Sequence, residues 1–351
     1  MYYNEGINWK GWIAMRSANR RTLLFAGLTV LMALSLTFSI PSGAITPDAA
    51  ARYQESTDVE GSDFARAAIR YTASAGLTDV ILPVDSVSYL PLDRSVPGRT
   101  PIEANYTDTG YSDDTILVTL EEVRAYDSTF HIATIKIATP TQLRTAVAGS
   151  KLGSSKTLKP TVFSQSMNAV VLINGDYYTK TVNGYIVRQG ETYREKTSDN
   201  LDLLFIDENS DFHIIPRGKE NQRDMIKAYL QEHQIINGFF FGPGLVMDGV
   251  VQAIPEHYEF NPFGDEPRAA IGQLAPLTYV LVTVDGRITG SQGVTMEELA
   301  EYMAKLGCVQ AYALDGGNSS ALVFHNRLIS VKEVNERDVS DVIYFATAID
   351  N

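Results

Sequence analysis

From Thr115 to the C-terminus the chain is divided into short apolar segments of strand length, and this pattern constrains the fold more than any other feature. Six segments are rich in β-branched and aromatic residues, as strands are: Ile116–Leu120, His131–Ile137, Ala169–Ile173, Leu201–Ile206, Tyr279–Val284 and Asp341–Phe345. Helices interrupt them, and one begins with a capping box in which Thr295 is followed by Glu298. The sequence therefore predicts an α+β domain over residues 115–351, with a mixed, mostly antiparallel sheet and a few packed helices.

Two polar turns predict hairpins within that domain. Asp207–Asp211 separates two strand-like runs, and Asp285–Gly286 separates Val284 from Ile288. We expect the strands on either side of each turn to pair directly.

The segment 46–114 has a different texture from the domain that follows it. Ser62–Leu77 has apolar residues at helical spacing, which predicts a helix. Pro83–Asp114 is rich in Pro, Ser, Thr, Asp and Gly, which indicates an irregular spacer. We therefore treat 46–114 as a helix and a spacer that precede the domain.

Residues 1–45 have the features of a targeting segment. Four basic residues precede the uncharged run Thr22–Ile40, and a Pro-Ser-Gly-Ala sequence ends it. A run of this length is close to what spans a bilayer, and the basic residues before it keep the N-terminus in the cytoplasm. We expect a single-pass membrane anchor with the domain outside the cell; cleavage after Ala44, giving a secreted protein, is the alternative.

Composition argues against several classes of protein. The net charge of −13 disfavours a nucleic-acid partner, because binding requires cations that neutralise phosphates. The single cysteine, Cys308, leaves no internal disulfide. The five histidines are scattered and none lies in a polar motif, which disfavours a histidine-centred triad or zinc site.

The segment Ala313–Leu322 interrupts an apolar run with a cluster of small polar residues. These are Asp315, Gly316, Gly317, Ser319 and Ser320. A Gly-Gly turn lets a ligand approach the backbone, and its N–H groups and hydroxyls can converge on an anion. The alternative is a hairpin loop that uses glycine and serine for local structure.

A second motif, Asn174–Tyr178, follows a strand that we expect to be buried. It predicts a catalytic or ligand-orienting carboxylate, Asp176, beside a sugar-stacking ring, Tyr177. The alternative is an Asn-Gly turn with an exposed acid.

Two arginines complete the candidate site. Arg268 opens an apolar strand after a proline-bounded loop, where it could bind a phosphate or carboxylate bidentately, or form a salt bridge to Asp265 or Glu266. Arg337 lies just before the last strand with Asp341, either near the same opening or in a solvated turn.

In this order, three motifs resemble the signature of the phosphodiester glycosidase family, the group around N-acetylglucosamine-1-phosphodiester alpha-N-acetylglucosaminidase. The motifs are Ile173–Tyr178, Arg268–Gly272 and Leu314–Ser320, and the resemblance covers about residues 115–350. One position departs from the family pattern, since Asn318 stands where the family usually has a third glycine.

The resemblance implies hydrolysis of a sugar-1-phosphodiester between the anomeric carbon and the phosphate oxygen. Either Asp315 or Asp176 would be the nucleophile or the base for water, as carboxylates are in glycosidases. The other residues implied for substrate and phosphate binding are Arg268, Gly316, Gly317, Ser319, Ser320, Asn174, Tyr177, Arg337 and Asp341.

Two alternatives stay open at this point. One is a metal-assisted phosphodiesterase in which Asp176, Asp315 and Asp341 bind a divalent cation. The other is a non-catalytic binder of anionic cell-envelope glycopolymer. The glycosidase interpretation, with an envelope glycopolymer or exopolysaccharide as substrate, requires that the side chains at 176, 268 and 315 meet around one cavity.

Overall fold

The computed structural model describes residues 69–71, 80–82, 97–149, 151–258 and 260–348. The predicted anchor or signal segment lies outside these residues, and no helix within them is both long and apolar enough to span a membrane. Most of the helix predicted over Ser62–Leu77 also lies outside. Where the prediction can be compared, it is wrong: Ile69–Tyr71, with its β-branched and aromatic residues, is a strand paired with Val80–Leu82.

The described part of the chain is dominated by short strands. In chain order they are β1 (Ile69–Tyr71), β2 (Val80–Leu82), β3 (Tyr106–Thr107), β4 (Gly110–Ser112), β5 (Ile116–Ala125), β6 (Ser128–Ile137), β7 (Leu143–Val147), β8 (Val171–Asn174), β9 (Tyr185–Arg188), β10 (Glu191–Glu195), β11 (Leu203–Ile206), β12 (Phe212–Ile215), β13 (Asn237–Phe239), β14 (Gly244–Met247), β15 (Val250–Val251), β16 (Arg268–Ala275), β17 (Thr278–Val284), β18 (Gln310–Leu314), β19 (Leu322–Phe324), β20 (Arg327–Leu328) and β21 (Asp341–Phe345). All six strands predicted from the sequence are present.

These strands form antiparallel sheets. The largest has the order β15-β14-β18-β16-β17-β6-β5-β4-β3, two five-stranded sheets have the orders β20-β19-β8-β21-β7 and β10-β9-β13-β11-β12, and β1 pairs with β2. The predicted α+β class with mostly antiparallel strands is therefore confirmed. β3 and β4 lie within the segment predicted as a spacer, yet they extend the nine-stranded sheet through β5.

Within the described residues, three α-helices pack on these sheets: α1 (Pro160–Met167), α2 (Lys219–Glu232) and α3 (Met296–Lys305). The predicted capping box is confirmed, since the Thr295 hydroxyl accepts from the Glu298 N–H and the Glu298 carboxylate accepts from the Thr295 N–H. Single 3₁₀ turns occur at Glu103–Asn105, Pro140–Gln142, Tyr178–Lys180 and Gly317–Ser319.

One predicted hairpin is present and the other is not. β11 and β12 pair across Asp207–Asp211 as expected. The hairpin at Asp285–Gly286 is wrong because β17 already has β16 on one side and β6 on the other, so no edge remains for Ile288. The Asp285 carboxylate is instead hydrogen-bonded to His131, with Oδ2 2.9 Å from Nε2.

The main core fixes the strands that carry the motifs. Ile173 of β8, Leu314 of β18 and Ile343 of β21 are buried in one apolar cluster. Burial of such a side chain contributes about 1.5–3 kcal/mol, so the backbone beside each is held firmly. Asp315 follows Leu314 directly, and Asp176 lies three residues after Ile173. The core therefore places both carboxylate-bearing loops.

Candidate active site

A small cleft of about 50 Å³ lies where the segments after β8 and β18 approach the segment before β21. Predicted site residues that line it are Asn174, Asp176, Tyr177, Asp315, Ser319 and Arg337. The cleft thus brings together three motifs that are distant in sequence, including two of the three key positions, 176 and 315.

Asn174 joins the five-stranded sheet of β8 to the loop that carries Asp315. Its side-chain amide donates to the Asp315 backbone oxygen at 2.7 Å, and its side-chain oxygen accepts from the Ala321 N–H at 2.9 Å. The Asp315 N–H donates to the Gly175 oxygen at 3.2 Å. Asn174 is 1% exposed, so it acts as an internal brace that fixes the loop.

Asp176 and Asp341 share one buried guanidinium, that of Arg188 at the end of β9. Arg188 Nη2 lies 2.9 Å from Asp176 Oδ1 and 2.7 Å from Asp341 Oδ2, and all three side chains are almost fully buried. The Asp341 carboxylate can lie against Gly175 because glycine has no side chain. A Cβ at Gly175 would lie 2.4 Å from Asp341 Oδ2. Asp341 is therefore part of the wall behind the cleft.

Asp176 has little capacity left for a ligand. Its Oδ1 accepts from the Tyr178 N–H at 3.1 Å, and its Oδ2 accepts from the Phe240 N–H at 3.2 Å. Burial raises the pKa of Asp176 and of Asp341, and the charge of Arg188 opposes that rise. A divalent cation held by these two carboxylates would have to displace Arg188, so this donor set does not fit the metal-assisted alternative.

Asp315 is a carboxylate at the cleft that, unlike Asp176, has no buried cation paired with it in the described part of the chain. Burial raises its pKa to about 6, against the opposing hydrogen bond from Ser319 and the charge of Arg337. The charge of Asp176 raises the pKa further. Such a carboxyl is mostly ionised at neutral pH and can still take up a proton, which suits a nucleophile or a general base.

Two cationic side chains face the cleft from its rim. Arg337 and Lys180 are exposed and both line it. Arg337 lies close enough to Asp315 for its charge to lower the pKa of that carboxyl. Together the two cations can hold an anionic group beside Asp315.

Arg268 has other partners and does not line the cleft. Its guanidinium is almost buried and donates to four backbone oxygens: Val294 at 2.9 Å, Phe260 at 3.4 Å, Asn261 at 2.8 Å and Gly264 at 2.8 Å. Burial lowers its pKa to about 10. The Arg268 side chain thus passes close to the loop after Asp315, since its Cδ would lie 3.9 Å from a Cβ at Gly316, but backbone carbonyls engage its guanidinium outside the cleft lining.

The Gly316–Ser320 turn is held by its own hydrogen bonds. The N–H groups of Gly317, Ser319 and Ser320 donate to the backbone oxygens of Pro267, Gly316 and Gly317. Gly317 has a φ of 56°, which favours glycine there. Of the predicted phosphate-binding residues in this turn, Ser319 lines the cleft, and the engaged N–H groups shape the loop instead of facing an anion.

Sequence reasoning missed Arg188 and Lys180. Arg188 ends a short strand before a Gln-Gly turn, where an arginine is usually solvated, so its burial between two carboxylates has no local signal. Lys180 lies two residues beyond the Asn174–Tyr178 motif, and only its position at the cleft distinguishes it from other surface lysines.

The chain is an α+β protein with a cleft lined by carboxylate and cationic side chains, and comparison with known families identifies its class. The family model for phosphodiester glycosidase matches residues 167–346. The chain belongs to the phosphodiester glycosidase family, as the motifs predicted.

Relatives are distant. An uncharacterised SPbeta prophage-derived protein of Bacillus subtilis, YomE, is 35% identical over 112 residues, which are 30% of this chain and 17% of the relative. The match therefore spans about a sixth of that protein's length. Among solved structures, the catalytic domain of zebrafish N-acetylglucosamine-1-phosphodiester alpha-N-acetylglucosaminidase, auto-inhibited by its pro-peptide, matches with a TM-score of 0.53 and 15% identity over 71% of this chain and 87% of that one. It supports the fold. A hypothetical protein from Synechocystis gives a TM-score of 0.47 at 18% identity, covering 66% of this chain and 62% of that one.

Proposed function

We propose that this protein hydrolyses sugar-1-phosphodiesters at the bond between the anomeric carbon and the phosphate oxygen. The observation that carries the proposal is the position of Asp315, a carboxyl with its pKa raised to about 6, in a cleft with two exposed cations at its rim. Membership of the family supports hydrolysis of this kind of bond.

The groups at the cleft divide the chemical work. A phosphate monoester is a good leaving group, so the reaction needs stabilisation of negative charge more than protonation of the leaving oxygen. Arg337 and Lys180 supply the positive charges that stabilise the negative charge of the leaving phosphate. Asp315 either attacks the anomeric carbon as the phosphate leaves, after which water hydrolyses the glycosyl-enzyme bond, or removes a proton from the water that attacks this carbon directly. In both cases the transition state resembles an oxocarbenium ion.

The buried cluster of Asp176, Arg188 and Asp341 acts as support. The Asp176 carboxylate accepts a hydrogen bond from the Phe240 N–H, and the Asp341 carboxylate accepts one from the Arg188 guanidinium. The cluster therefore connects the segment after β8 to β9, β13 and β21. Its role is to hold the loop beside Asp315 in place, as residues behind a reacting group commonly do.

We infer an anionic glycopolymer as the substrate class. A groove of about 730 Å³ between α2 and the β9–β10 hairpin is lined by Lys196, Lys219, Arg223 and Lys227, although the whole chain carries a net charge of −13. The segment 179–183 connects the lining of the cleft to the lining of this groove. A long anionic chain that occupied the cleft at one end would gain contacts with these cations.

We also propose that the protein acts outside the cytoplasm, held by the N-terminal segment or released after it. The support is the set of basic residues before the uncharged run Thr22–Ile40. Protease treatment of intact cells is the test: degradation of the domain without lysis agrees with the proposal, and full protection contradicts it.

The decisive experiment identifies the bond that breaks. The full-length chain in detergent is incubated with a sugar-1-phosphodiester in ¹⁸O-labelled water. Cleavage at the anomeric carbon gives a free sugar carrying the label and an unlabelled phosphomonoester. Label in the phosphate, with sugar-1-phosphate as product, would indicate a phosphodiesterase, and saturable binding without product would indicate a binding protein.

A further inference from the structure

A second group of functional side chains lies away from the cleft, on the β11–β12 hairpin and the end of α2. Asp207 directly follows β11, His213 lies in β12, and His233 directly follows α2. The sequence gives no reason to associate these histidines, which are twenty residues apart. The fold brings them together because α2 packs back against the hairpin.

The three side chains present their ligand atoms to a common point. Asp207 Oδ2 lies 3.2 Å from His213 Nε2 and 3.2 Å from His233 Nδ1, and the three atoms lie within 4.8 Å of one another. Tetrahedral zinc with bonds of about 2.0–2.1 Å holds its ligand atoms roughly 3.3 Å apart. The two separations between Asp207 and the histidines are therefore close to those of a metal-bound set.

The hydrogen bond between His213 Nε2 and Asp207 Oδ2, at 3.2 Å, accounts for only part of this arrangement. His233 Nδ1 is buried and has no hydrogen-bond partner among the described residues, although it lies 3.2 Å from the Asp207 carboxylate. The ring nitrogen is therefore close to that oxygen without being aimed at it. A cation between the two atoms would satisfy both.

Tyr229 provides a second, independent observation. Its side chain is more than nine-tenths buried, its ring centre lies 4.9 Å from each of the rings of His213 and His233, and within the described chain its hydroxyl has no hydrogen-bond partner. The carboxylates whose charges act on that hydroxyl include Asp207 and Glu208. A buried hydroxyl is normally satisfied, so this one indicates a missing ligand, such as a metal-bound water.

The Asp207 carboxylate is already oriented for such a role. Its Oδ1 accepts from the N–H groups of Asn209 and Asp211, both at 2.8 Å, which leaves Oδ2 directed to the histidines. Hydrogen bonds of this kind to a ligand residue fix its orientation and are common around metal sites.

We propose that Asp207, His213 and His233 bind one divalent transition-metal cation of the zinc type. Two imidazoles and one carboxylate suit zinc better than magnesium or calcium, which prefer oxygen ligands. The cation would join the end of α2 to the β11–β12 hairpin. β11 pairs with β13, whose Phe239 ring lies 3.9 Å from the Arg188 guanidinium, so the site stabilises the sheet behind the cleft.

The test uses zinc alone and the full-length chain, purified in detergent with a tag that contains no histidine and then treated with a chelator. We expect one zinc ion per chain by elemental analysis and calorimetry, with a raised melting temperature that magnesium does not produce. Loss of an outer ligand contact commonly weakens binding about 10–100-fold, so His213→Ala and His233→Ala, which remove direct ligands, should each weaken it by more than about 100-fold.

His325→Ala is the matched control, because His325 pairs with the exposed Glu103 and has no third ligand among the described residues. It should bind zinc as the unchanged chain does. Absence of zinc binding by the folded, unchanged chain overturns the proposal even where a variant fails to fold. Equal affinity in the unchanged chain and in folded His213→Ala overturns it too, and neither result depends on hydrolytic activity.

Discussion

Arg188 and Asp341 form two hydrogen bonds in the interior, from Nε at 2.9 Å and from Nη2 at 2.7 Å, although they are 153 residues apart in sequence. Arg188 ends β9 and Asp341 begins β21, so the pair joins two separate sheets. The same guanidinium compensates Asp176, which makes it the one cation between two buried carboxylates in this cluster.

Replacing Arg188 by Met should therefore destabilise the fold strongly. Breaking a buried ion pair by removing one partner costs about 3–5 kcal/mol, because the remaining charges lose their compensation. Urea unfolding measures the loss. Arg287→Met is the matched control, since Arg287 is partly exposed and pairs at the surface, where such a pair contributes at most about 1 kcal/mol. Equal losses in the two variants would contradict a structural role for the buried cluster.

Asp315→Asn should abolish most of the turnover without loss of stability. General-base or nucleophilic carboxylates contribute about 10²–10⁴-fold to rate, and asparagine can serve as neither. The stability should hold, because burial already disfavours the ionised form of Asp315. The measurement is kcat on a sugar-1-phosphodiester together with thermal melting.

Asp338→Asn is the control for that variant, because Asp338 is an exposed carboxylate that lines the same cleft. It should retain activity close to that of the unchanged chain. If Asp315→Asn kept full activity, or if Asp338→Asn lost as much, Asp315 would not be the reacting carboxylate.

The pH profile should report the raised pKa of Asp315. Since the ionised form is the reactive one, kcat/KM should fall below about pH 6, with a slope of one, instead of below about pH 4 as for an ordinary aspartate. The free energy of unfolding should change with pH in the opposite direction to kcat/KM. Because the folded chain holds this proton more tightly than the unfolded chain, the contribution of Asp315 to stability should fall as pH rises from about 4 to 6. An acid limb near pH 4 would contradict this assignment.

Local patterns were enough to predict much of the fold. The six strands, the Thr295 capping box and the Asp207–Asp211 hairpin each depend on neighbours in sequence, and each is present. The Asp285–Gly286 turn has the same local signal, but β17 is an interior strand with both edges occupied. Strand order decides that outcome, and a single sequence carries little information about it.

The candidate site was predictable where loops bear their own functional groups. Asp176, Asp315 and Arg337 were selected from their motifs, and all three line the cleft. Arg188 was not, because its importance comes from two carboxylates supplied by distant segments. Arg268 is the converse case, because it lies in a recognisable motif but its guanidinium donates to backbone carbonyls. Only the fold places those carbonyls around it.

The two arginines in the predicted motifs should therefore respond differently to substitution. Arg337→Met removes an exposed cation at the cleft, so KM should rise by about tenfold or more, since a hydrogen bond to a charged group contributes about 1.5–3 kcal/mol. Melting temperature should hardly change. Lys180→Met should act in the same direction, because Lys180 faces the same cleft.

Arg268→Met should instead lower the melting temperature, because it removes hydrogen bonds to four backbone oxygens; those of Val294 and Asn261 keep a backbone donor, and those of Phe260 and Gly264 lose theirs. Steady-state kinetics below the melting transition separates the two effects: KM should stay near that of the unchanged chain in Arg268→Met and rise in Arg337→Met. A raised KM with an unchanged melting temperature in Arg268→Met would return Arg268 to the phosphate-binding role that its sequence motif predicts.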